Sequence, residues 1–293
     1  MPLELVERAP AKVNLSLRVL GRRADGYHDI ESLVAFADCC DRLSLQPRDE
    51  LALTVAGPGS GQTGADADNL VIKAAGALAA RVPGLRLGAF HLEKNLPVAA
   101  GLGGGSADAA AALRLLARLN TLAAGDSRLH DAACATGADV PVCLDPRPRL
   151  MRGIGEILSA PLPLPRFPAL LVNPGIAVPT KLVFAGWTPA ANASSSAEPS
   201  ALAKVWNETQ LLNWLAREPN DLEAPAITLA PAIAEVLATL RAAAGCRFAR
   251  MSGSGATCFA LFDTQRAAAA AARTLRQAEP AWWIRPTVLG GSR

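Results

Sequence analysis

The sequence is poor in the residues that build metal centres and disulfide frameworks. Its three histidines (His28, His91 and His130) are scattered, and its six cysteines form no C-x-x-C pair. Zinc sites and disulfide scaffolds need clustered or paired ligands, so neither is indicated. Most of the cysteines stand in apolar stretches such as "VPVCL" and "TCFALF", which is typical of buried free thiols.

Charge of one sign and long apolar runs are also lacking. The net charge is +3 with no basic run, so the electrostatic footprint of a nucleic-acid-binding protein is missing. No apolar run approaches the roughly 20 residues of a spanning helix, and the opening "MPLELVERAP" lacks a secretory core. The sequence therefore predicts a cytoplasmic protein without a nucleic-acid or membrane partner, as a monomer or weak homodimer.

Strand and helix patterns alternate along the chain. The stretch "AKVNLSLRVL" alternates apolar side chains with Asn14, Ser16 and Arg18, which predicts a half-buried strand. Other segments predict strands at 51–55, 88–96, 256–262 and 282–289, and helices at 69–82, after Ser106, at 231–245 with Gly245 as C-cap, and from Thr264. This interleaving favours an α+β fold over a helix bundle or a β-sandwich.

Proline-rich and serine-rich stretches predict how the chain is divided. "SAPLPLPRFP" predicts a boundary that separates residues 1–160 from residues 161–293. "AANASSSAEPSA" at 190–201 is typical of a flexible loop or an insertion.

The stretch "PVAAGLGGGSADAA" at 97–110 carries the strongest functional signal. Four glycines in five positions precede Ser106, a predicted helix N-cap, and Asp108, which would favour the helix dipole from the first turn. A bare backbone before a helix N-terminus suits an anion, because unpaired N–H groups converge there. A glycine-rich turn that merely permits tight packing is the alternative.

Two common phosphate loops do not fit this stretch. A Walker A loop requires a lysine that is missing from both "GLGGGSAD" and "GPGSGQTG". The dinucleotide fingerprint fails because Ser106 stands where the third glycine belongs, and no apolar strand leads directly into the loop.

A third pattern fits. "PVAAGLGGGSADAAAAL" resembles the nucleotide-binding motif P-x-x-x-G-L-G-G-G-S-A/S of the GHMP kinase superfamily, and "APAKVNLSL" and "RMSGSGATCFALF" resemble its other two motifs, in the same order. The resemblance implies a ribosomal S5 domain 2-like N-terminal domain, a ferredoxin-like C-terminal domain and an active site in the cleft between them. It implies that 253–255 packs beside the loop and that ATP, with Mg²⁺, is bound by Pro97, Val98, Ala99, Ala100, Gly101, Leu102, Gly103, Gly104, Gly105, Ser106 and Ala107.

Further stretches narrow the resemblance. "KVNLSLRVLGRRADGYHDIESL" contains R-x-D-G-Y-H, and "GADVPVCL", "RGIGEIL", "PGIAVPTKLVF" and "NDLE" are similar to segments of the same group of enzymes. Those enzymes phosphorylate a hydroxyl of a cytidine-diphosphate-linked polyol in the non-mevalonate isoprenoid pathway. The resemblance therefore implies that polyol as the small-molecule partner.

The resemblance also implies which residues carry the chemistry. Asp139 matches the general base, and Lys12 matches a lysine that would hold it ionised, since an opposite charge favours the charged carboxylate. From the residues alone, Asp139 is equally a turn residue after Gly137, Lys12 is a solvated strand residue, and Asp145 is a neighbouring turn aspartate.

For the substrate, the resemblance implies an aromatic clasp around cytosine. Tyr27 stacks on the base, His28 hydrogen-bonds it, and Phe184 covers its opposite face. Asn14 is placed to hydrogen-bond the polyol or the base. Thr180 is a candidate for a contact with the base or the ribose. From the residues alone, Tyr27 and His28 are equally a partly buried pair after a turn.

Two further sites are less determined. Asn69 resembles a residue lining the adenine pocket, but Asn is also an ordinary helix N-cap. The Mg²⁺ ligands are unknown; Ser106 is the first candidate and Asp108 the second, and phosphates with water often supply most ligands.

Three alternatives remain open. A GHMP kinase for another small acceptor would have no base to clasp, and a non-catalytic relative would retain the loop without the chemistry. A nicotinamide-dependent dehydrogenase is the most distant. Residues 185–210 match no signature of the superfamily.

Overall fold

The computed structural model describes residues 4–62, 68–189 and 206–291. The predicted loop at 190–201 lies outside the described residues, as does part of the loop before residue 69.

The described chain forms two compact units built from interleaved segments. The first unit comprises 1–12, 40–98 and 103–146, and the second comprises 13–39, 99–102 and 147–293. The segments interleave because one 20-residue strand contributes its first part to the second unit and its last part to the first. The sequence boundary near residue 160 stays a prediction of where two domains divide.

Strands and helices are interleaved along the described chain, as predicted. The strands are β1 Leu5–Asn14, β2 Arg18–Arg22, β3 His28–Pro47, β4 Ala52–Ala56, β5 Gly88–Glu93, β6 Arg149–Gly153, β7 Ile157–Leu158, β8 Phe167–Asn173, β9 Cys246–Met251, β10 Cys258–Phe262 and β11 Trp283–Leu289. The helices are α1 Leu70–Ala79, α2 Gly104–Leu119, α3 Ser127–Thr136, α4 Val140–Leu144, α5 Thr180–Ala185, α6 Glu208–Leu215, α7 Glu223–Leu229, α8 Ala232–Ala242 and α9 Gln265–Ala278.

In the first unit, helices pack around α2. Strand β4 runs parallel to β5, and β5 pairs antiparallel with residues 42–47 of β3. Helix α2 is not half-buried along one stripe: 12 of its 16 residues are buried, because α1, α3 and α4 all pack against it. Its many alanines leave room for neighbouring helices on most sides.

In the second unit, an antiparallel sheet is covered by helices. Strands β2 and β6 pair with the first half of β3, and β11, β8, β10 and β9 follow one another in antiparallel order. Helices α8 and α9 pack on this sheet through side chains such as Ile233, Leu237 and Leu275. The predicted α+β class is therefore confirmed.

The segment 11–20 differs from the single half-buried strand that alternation predicts. Strand β1 ends at Asn14, and β2 begins only at Arg18. Asn14 and Ser16 are buried rather than solvent-facing. Their polar groups tolerate burial because Asn14 Nδ2 donates to Ser32 Oγ at 2.7 Å and Ser32 Oγ donates to the Ser16 carbonyl at 2.6 Å.

Some local expectations hold and one is wrong. Thr264 is the N-cap of α9, accepting a hydrogen bond from Ala267 N at 3.1 Å. The prediction of Gly245 as C-cap is wrong, because α8 ends at Ala242 with Ala243 as C-cap, and Gly245 (φ +78°) turns the chain into β9. None of the six cysteines forms a disulfide, but the expectation of buried thiols holds only for Cys143 and Cys258, because Cys134 is exposed and the other three are half-buried. Among the described helices, none has the length and apolarity needed to cross a bilayer.

The "NDLE" stretch supports the glycine-rich turn after β9. Asn220 is buried, and its Nδ2 donates to the carbonyls of Met251 and Gly253, both at 2.9 Å. Its Oδ1 accepts from Leu222 N at 3.1 Å, and Glu223 Oε2 accepts from Met251 N at 3.0 Å. The amide of Asn220 therefore holds the backbone of residues 251–253.

We expect Asn220→Asp to lower the free energy of unfolding by about 1–3 kcal/mol, because two buried carbonyl oxygens lose their donor. Asn207→Asp is the matched control. Asn207 caps α6 at the surface, where aspartate is an equally good cap. Urea unfolding followed by circular dichroism measures both. Equal unfolding midpoints for the two variants would contradict the assigned role.

Candidate active site

The glycine-rich loop turns directly into α2. Gly103 is the N-cap in the left-handed conformation (φ +59°), and the helix begins at Gly104. The prediction of Ser106 as N-cap is therefore wrong: Ser106 is the third helical residue, because Gly103 can adopt the turn that a side chain would hinder. Asp108 is also beyond the first turn, as the fifth helical residue, and it is buried.

Close backbone approach explains the glycine at position 101. Its φ is +74°, and a Cβ atom there would overlap the Ser252 carbonyl oxygen and lie 2.8 Å from the Gly255 carbonyl oxygen. Ser252 Oγ donates to the Gly101 carbonyl at 2.8 Å, and Thr257 N donates to the Ala100 carbonyl at 3.1 Å. The third motif thus packs beside residues 100–101, as expected.

Lys12 and Asp139 form an ion pair in the first unit. Lys12 Nζ lies 2.8 Å from Asp139 Oδ2, and the side chains are 5% and 36% exposed, respectively. Lys12 is therefore buried and paired, and it is not the solvated strand residue that the sequence alone allowed. Asp139 immediately precedes α4 but makes no side-chain capping hydrogen bond to it, so helix capping does not account for its carboxylate.

The same lysine lies under the start of α2. A Cβ atom at Gly103 would be 3.1 Å from Lys12 Cε and 3.3 Å from Lys12 Cβ, so a side chain at position 103 would crowd the lysine stem. The N–H groups of residues 104–106 have no intrahelical partner at this end. A cation, a carboxylate and converging N–H donors are the parts that phosphoryl transfer requires.

Asn14 forms hydrogen bonds inside the second unit. Its backbone N–H donates to Ser252 Oγ at 3.0 Å, and its Nδ2 donates to Ser32. Its Oδ1 faces Gly253, since a Cβ atom there would lie 3.2 Å away. Asn14 therefore joins the first motif to the third, and its binding to a substrate stays a prediction.

An aromatic group lies on the second unit. The rings of His28 and Phe184 stack with centroids 4.9 Å apart and an interplanar angle of 26°. Trp187 meets His28 edge-on at 6.0 Å and 86°, and Tyr27 is 58% exposed. Sequence reasoning missed Trp187, which lies in the segment without a family signature; its spacing of three residues from Phe184 was the available signal.

Thr180 and Asn69 have structural partners. Thr180, the first residue of α5, has its Oγ1 2.8 Å from Ser254 Oγ in the third motif. Asn69 is the N-cap of α1, with Oδ1 accepting from Val71 N at 3.0 Å, so its reading as a helix cap is confirmed. Contacts of either residue with nucleotide or substrate stay predictions.

The described side chains offer little to a cation by themselves. No group of three or more His, Cys, Asp or Glu residues in 4–62, 68–189 and 206–291 could hold a metal ion. Asp108 does not fit as a magnesium ligand, because its Oδ2 lies 2.6 Å from the Lys94 ammonium. At the start of α2, the Ser106 hydroxyl oxygen can bind a cation, whereas the backbone N–H groups can only donate hydrogen bonds to an anion.

Comparisons with known proteins agree with this geometry. The model "GHMP kinases N terminal domain" matches residues 69–145, and "GHMP kinases C terminal" matches residues 204–281. A 4-diphosphocytidyl-2-C-methyl-D-erythritol kinase of Methylobacterium radiotolerans is 59% identical over 97% of this chain and 99% of its own length. A protein of the same name from Xanthobacter autotrophicus is 57% identical over 96% of this chain and 98% of its own length.

Solved structures give the same result. A crystal structure of 4-(cytidine 5'-diphospho)-2C-methyl-D-erythritol kinase is 37% identical with a TM-score of 0.74, covering 98% of this chain and 100% of that one. The homoserine kinase of Cytophaga hutchinsonii shares the fold, with 21% identity, a TM-score of 0.72, and coverage of 98% and 95%. The chain belongs to the GHMP kinases, which are ATP-dependent kinases of small molecules, and within them to the family of the 4-diphosphocytidyl-2-C-methyl-D-erythritol kinases.

Proposed function

We propose that the protein transfers the γ-phosphoryl group of ATP to a hydroxyl of 4-diphosphocytidyl-2-C-methyl-D-erythritol, a step of the non-mevalonate isoprenoid pathway. The observation that carries the proposal is the 2.8 Å contact of Lys12 with Asp139 beside the glycine-rich start of α2. The substrate is that of relatives up to 59% identical over nearly the whole chain. The absence of disulfides among the six cysteines suits the reducing cytoplasm, where we propose that the reaction occurs.

Each part of the ion pair has a role in the transfer. The Asp139 carboxylate accepts the proton of the acceptor hydroxyl, whose oxygen attacks the γ-phosphorus as the bond to ADP breaks. The Lys12 ammonium, 2.8 Å from Asp139 Oδ2, orients that carboxylate. The N–H groups of residues 104–106 bind phosphate oxygens, because the positive end of α2 favours the charge there.

ATP would bring Mg²⁺ with it. Magnesium usually keeps several waters and binds phosphates together with one or two protein groups. The Ser106 hydroxyl, in the first turn of α2, is the side chain that fits this arrangement. When bound, the ion would neutralise phosphate charge that Lys12 alone does not offset.

The aromatic group of the second unit would hold the cytosine. His28 and Phe184 are too close to admit a base between them, so the base would stack on the other face of Phe184. Exposed Tyr27 would supply the opposite ring, and a hydrogen bond from His28 to the base would require Phe184 to move off the His28 ring, because Phe184 otherwise separates the two. Trp187 would keep the His28 ring in place by its edge-on contact.

A coupled ADP-release assay with Mg-ATP tests the substrate. The cytidylated polyol, mevalonate, homoserine and galactose serve as parallel acceptors. Turnover with the cytidylated polyol alone is expected. Preferential turnover of another acceptor would agree with kinase activity but would contradict the proposed cytosine site. ATP binding without turnover of any acceptor would favour a non-catalytic relative.

We expect Asp139→Asn to lower kcat by about 100- to 10,000-fold, because the amide cannot take the proton. Asp145→Asn is the matched control, since Asp145 follows the same short helix at its other end. The same assay, at saturating concentrations of both substrates, measures the loss. An Asp139→Asn enzyme with near wild-type kcat would remove Asp139 as the base.

We expect Phe184→Ala to raise KM for the cytidylated polyol by about 10- to 100-fold, because one stacking face is lost. The KM for ATP should stay close to the wild-type value. Trp214→Ala is the control, since it removes one ring of another aromatic pair, Trp206 with Trp214 at 5.2 Å. A parallel rise in both KM values would show general damage instead of a lost base contact.

A further inference from the structure

A buried charge cluster that the proposed reaction does not use lies beside the loop. Lys94 Nζ is 2.5 Å from Asp41 Oδ2 and 2.6 Å from Asp108 Oδ2. The three side chains are at most 3% exposed. We call Asp41, Lys94 and Asp108 the lysine clamp. All three residues belong to the first unit.

The lysine clamp joins three elements that are distant in sequence. Asp41 lies in β3, Lys94 directly follows β5, and Asp108 is the fifth residue of α2. The backbone of Lys94 is itself held, since its N–H donates to the Ala56 carbonyl at 2.8 Å and its carbonyl accepts from Gly59 N at 3.1 Å. The ammonium therefore has a fixed position relative to β4 and β5.

Both ends of the glycine-rich loop attach to this cluster. At the entry, Asp41 Oδ1 accepts from Asn95 N at 2.5 Å and from Leu96 N at 2.8 Å, the two residues before Pro97. At the exit, a Cβ atom at Gly104 would lie 3.1 Å from Lys94 Nζ, so the ammonium touches the first residue of α2. One carboxylate thus holds the entry, while the lysine supports the start of the helix.

The lysine clamp is costly as a purely stabilising device. Two carboxylates share one buried ammonium, and Asp108 Oδ1 has no hydrogen-bond partner among the described residues. Burial raises the pKa of Asp108 to about 7 against the pull of Lys94, and Asp41 adds to the rise. Burial lowers the pKa of Lys94, but the two carboxylates outweigh it and leave that pKa raised. Apolar side chains of similar size would often give equal stability at such a place.

We propose that Asp41, Lys94 and Asp108 are positioning residues for ATP: they fix the entry of the loop against the start of α2, so that the N–H groups of residues 104–106 converge on the phosphates. This inference rests on the proposed function, because it assumes that ATP phosphates bind at the loop. None of the three side chains need touch the nucleotide. Their effect passes through the backbone of 95–96 and 104.

Asp41→Asn and Asp108→Asn test the proposal, with Glu31→Gln as the matched control. Glu31 is also a buried carboxylate of β3, and it accepts from Arg152 Nη2 at 2.6 Å in the second unit. Asp41→Asn leaves one acceptor oxygen where the carboxylate had two, so the side chain can no longer accept both from the backbone N–H groups and from Lys94. We expect Asp41→Asn to lower kcat/KM for ATP by about 10- to 100-fold. Asp108→Asn should show a smaller loss in the same direction.

The split between the two substrates separates positioning from structural damage. KM for ATP should rise while KM for the acceptor stays within about twofold of wild type. Glu31→Gln should lower the melting temperature without changing KM for ATP. Unchanged KM for ATP in folded Asp41→Asn and Asp108→Asn enzymes would overturn the proposal. If Asp41→Asn does not fold, Asp108→Asn decides.

A double variant provides a second test. Lys94→Met with Asp108→Leu removes the buried pair and leaves Asp41 bonded to the loop entry. Its melting temperature should exceed that of Lys94→Met alone, since no carboxylate is left unpaired on α2. The affinity of the double variant for a non-hydrolysable ATP analogue, measured by calorimetry in the presence of Mg²⁺, should remain below that of the wild-type protein. Recovery of wild-type affinity together with stability would overturn the proposal.

Calorimetry also separates the two proposals. If the wild-type protein binds the analogue but phosphorylates no cytidylated polyol, the proposed function fails and the effect of the variants on affinity still decides the role of the lysine clamp. If the wild-type protein phosphorylates the cytidylated polyol and the variants bind the analogue with wild-type affinity, only the proposed role of the lysine clamp is contradicted.

Discussion

The contact between Lys12 Nζ and Asp139 Oδ2 is the interaction on which the rest of the site depends. Lys12 is almost fully buried, and a buried ammonium requires a paired charge. Its stem also lies beneath Gly103, so a side chain at that position would crowd the lysine, and the left-handed backbone (φ +59°) favours glycine there as well. The ion pair, the glycine and the helix N-terminus are therefore one arrangement, in which a change to any part displaces the others.

The glycine-rich segments are constrained from both sides. In the second unit, Gly101 packs so closely on Ser252 and Gly255 that no side chain fits. In the first unit, the lysine clamp approaches Gly104 at the start of α2. The close packing that the sequence offered as an alternative is therefore present, and it does not exclude the binding of an anion at the start of α2.

Much of the fold was predictable because its signals are local. Thr264 and Asn69 cap their helices through atoms two or three residues away, and the apolar stretch "ATCFALF" identified β10. Ser106 was misassigned because Gly103 replaces the side-chain cap with a left-handed turn. Burial of Asn14 depends on Ser32 and Ser252, at sequence separations of 18 and 238 residues, which no local pattern reports.

The residues of the candidate site likewise differ in whether the sequence reveals them. Lys12 and Asp139 were identified through motifs and not from spacing, since their positions in the sequence differ by 127. The lysine clamp escaped notice because Asp41 and Lys94 are 53 residues apart and each stands in an ordinary strand context. Trp187 lies where the family pattern ends, so only the fold shows that its ring meets His28.

The most direct test of the account is ³¹P NMR of the products formed by the wild-type protein from Mg-ATP and 4-diphosphocytidyl-2-C-methyl-D-erythritol. A new phosphomonoester resonance should grow in step with ADP, while the diphosphate bridge to cytidine stays intact. Release of inorganic phosphate without a phosphomonoester, or no consumption of ATP, would contradict phosphoryl transfer to this acceptor.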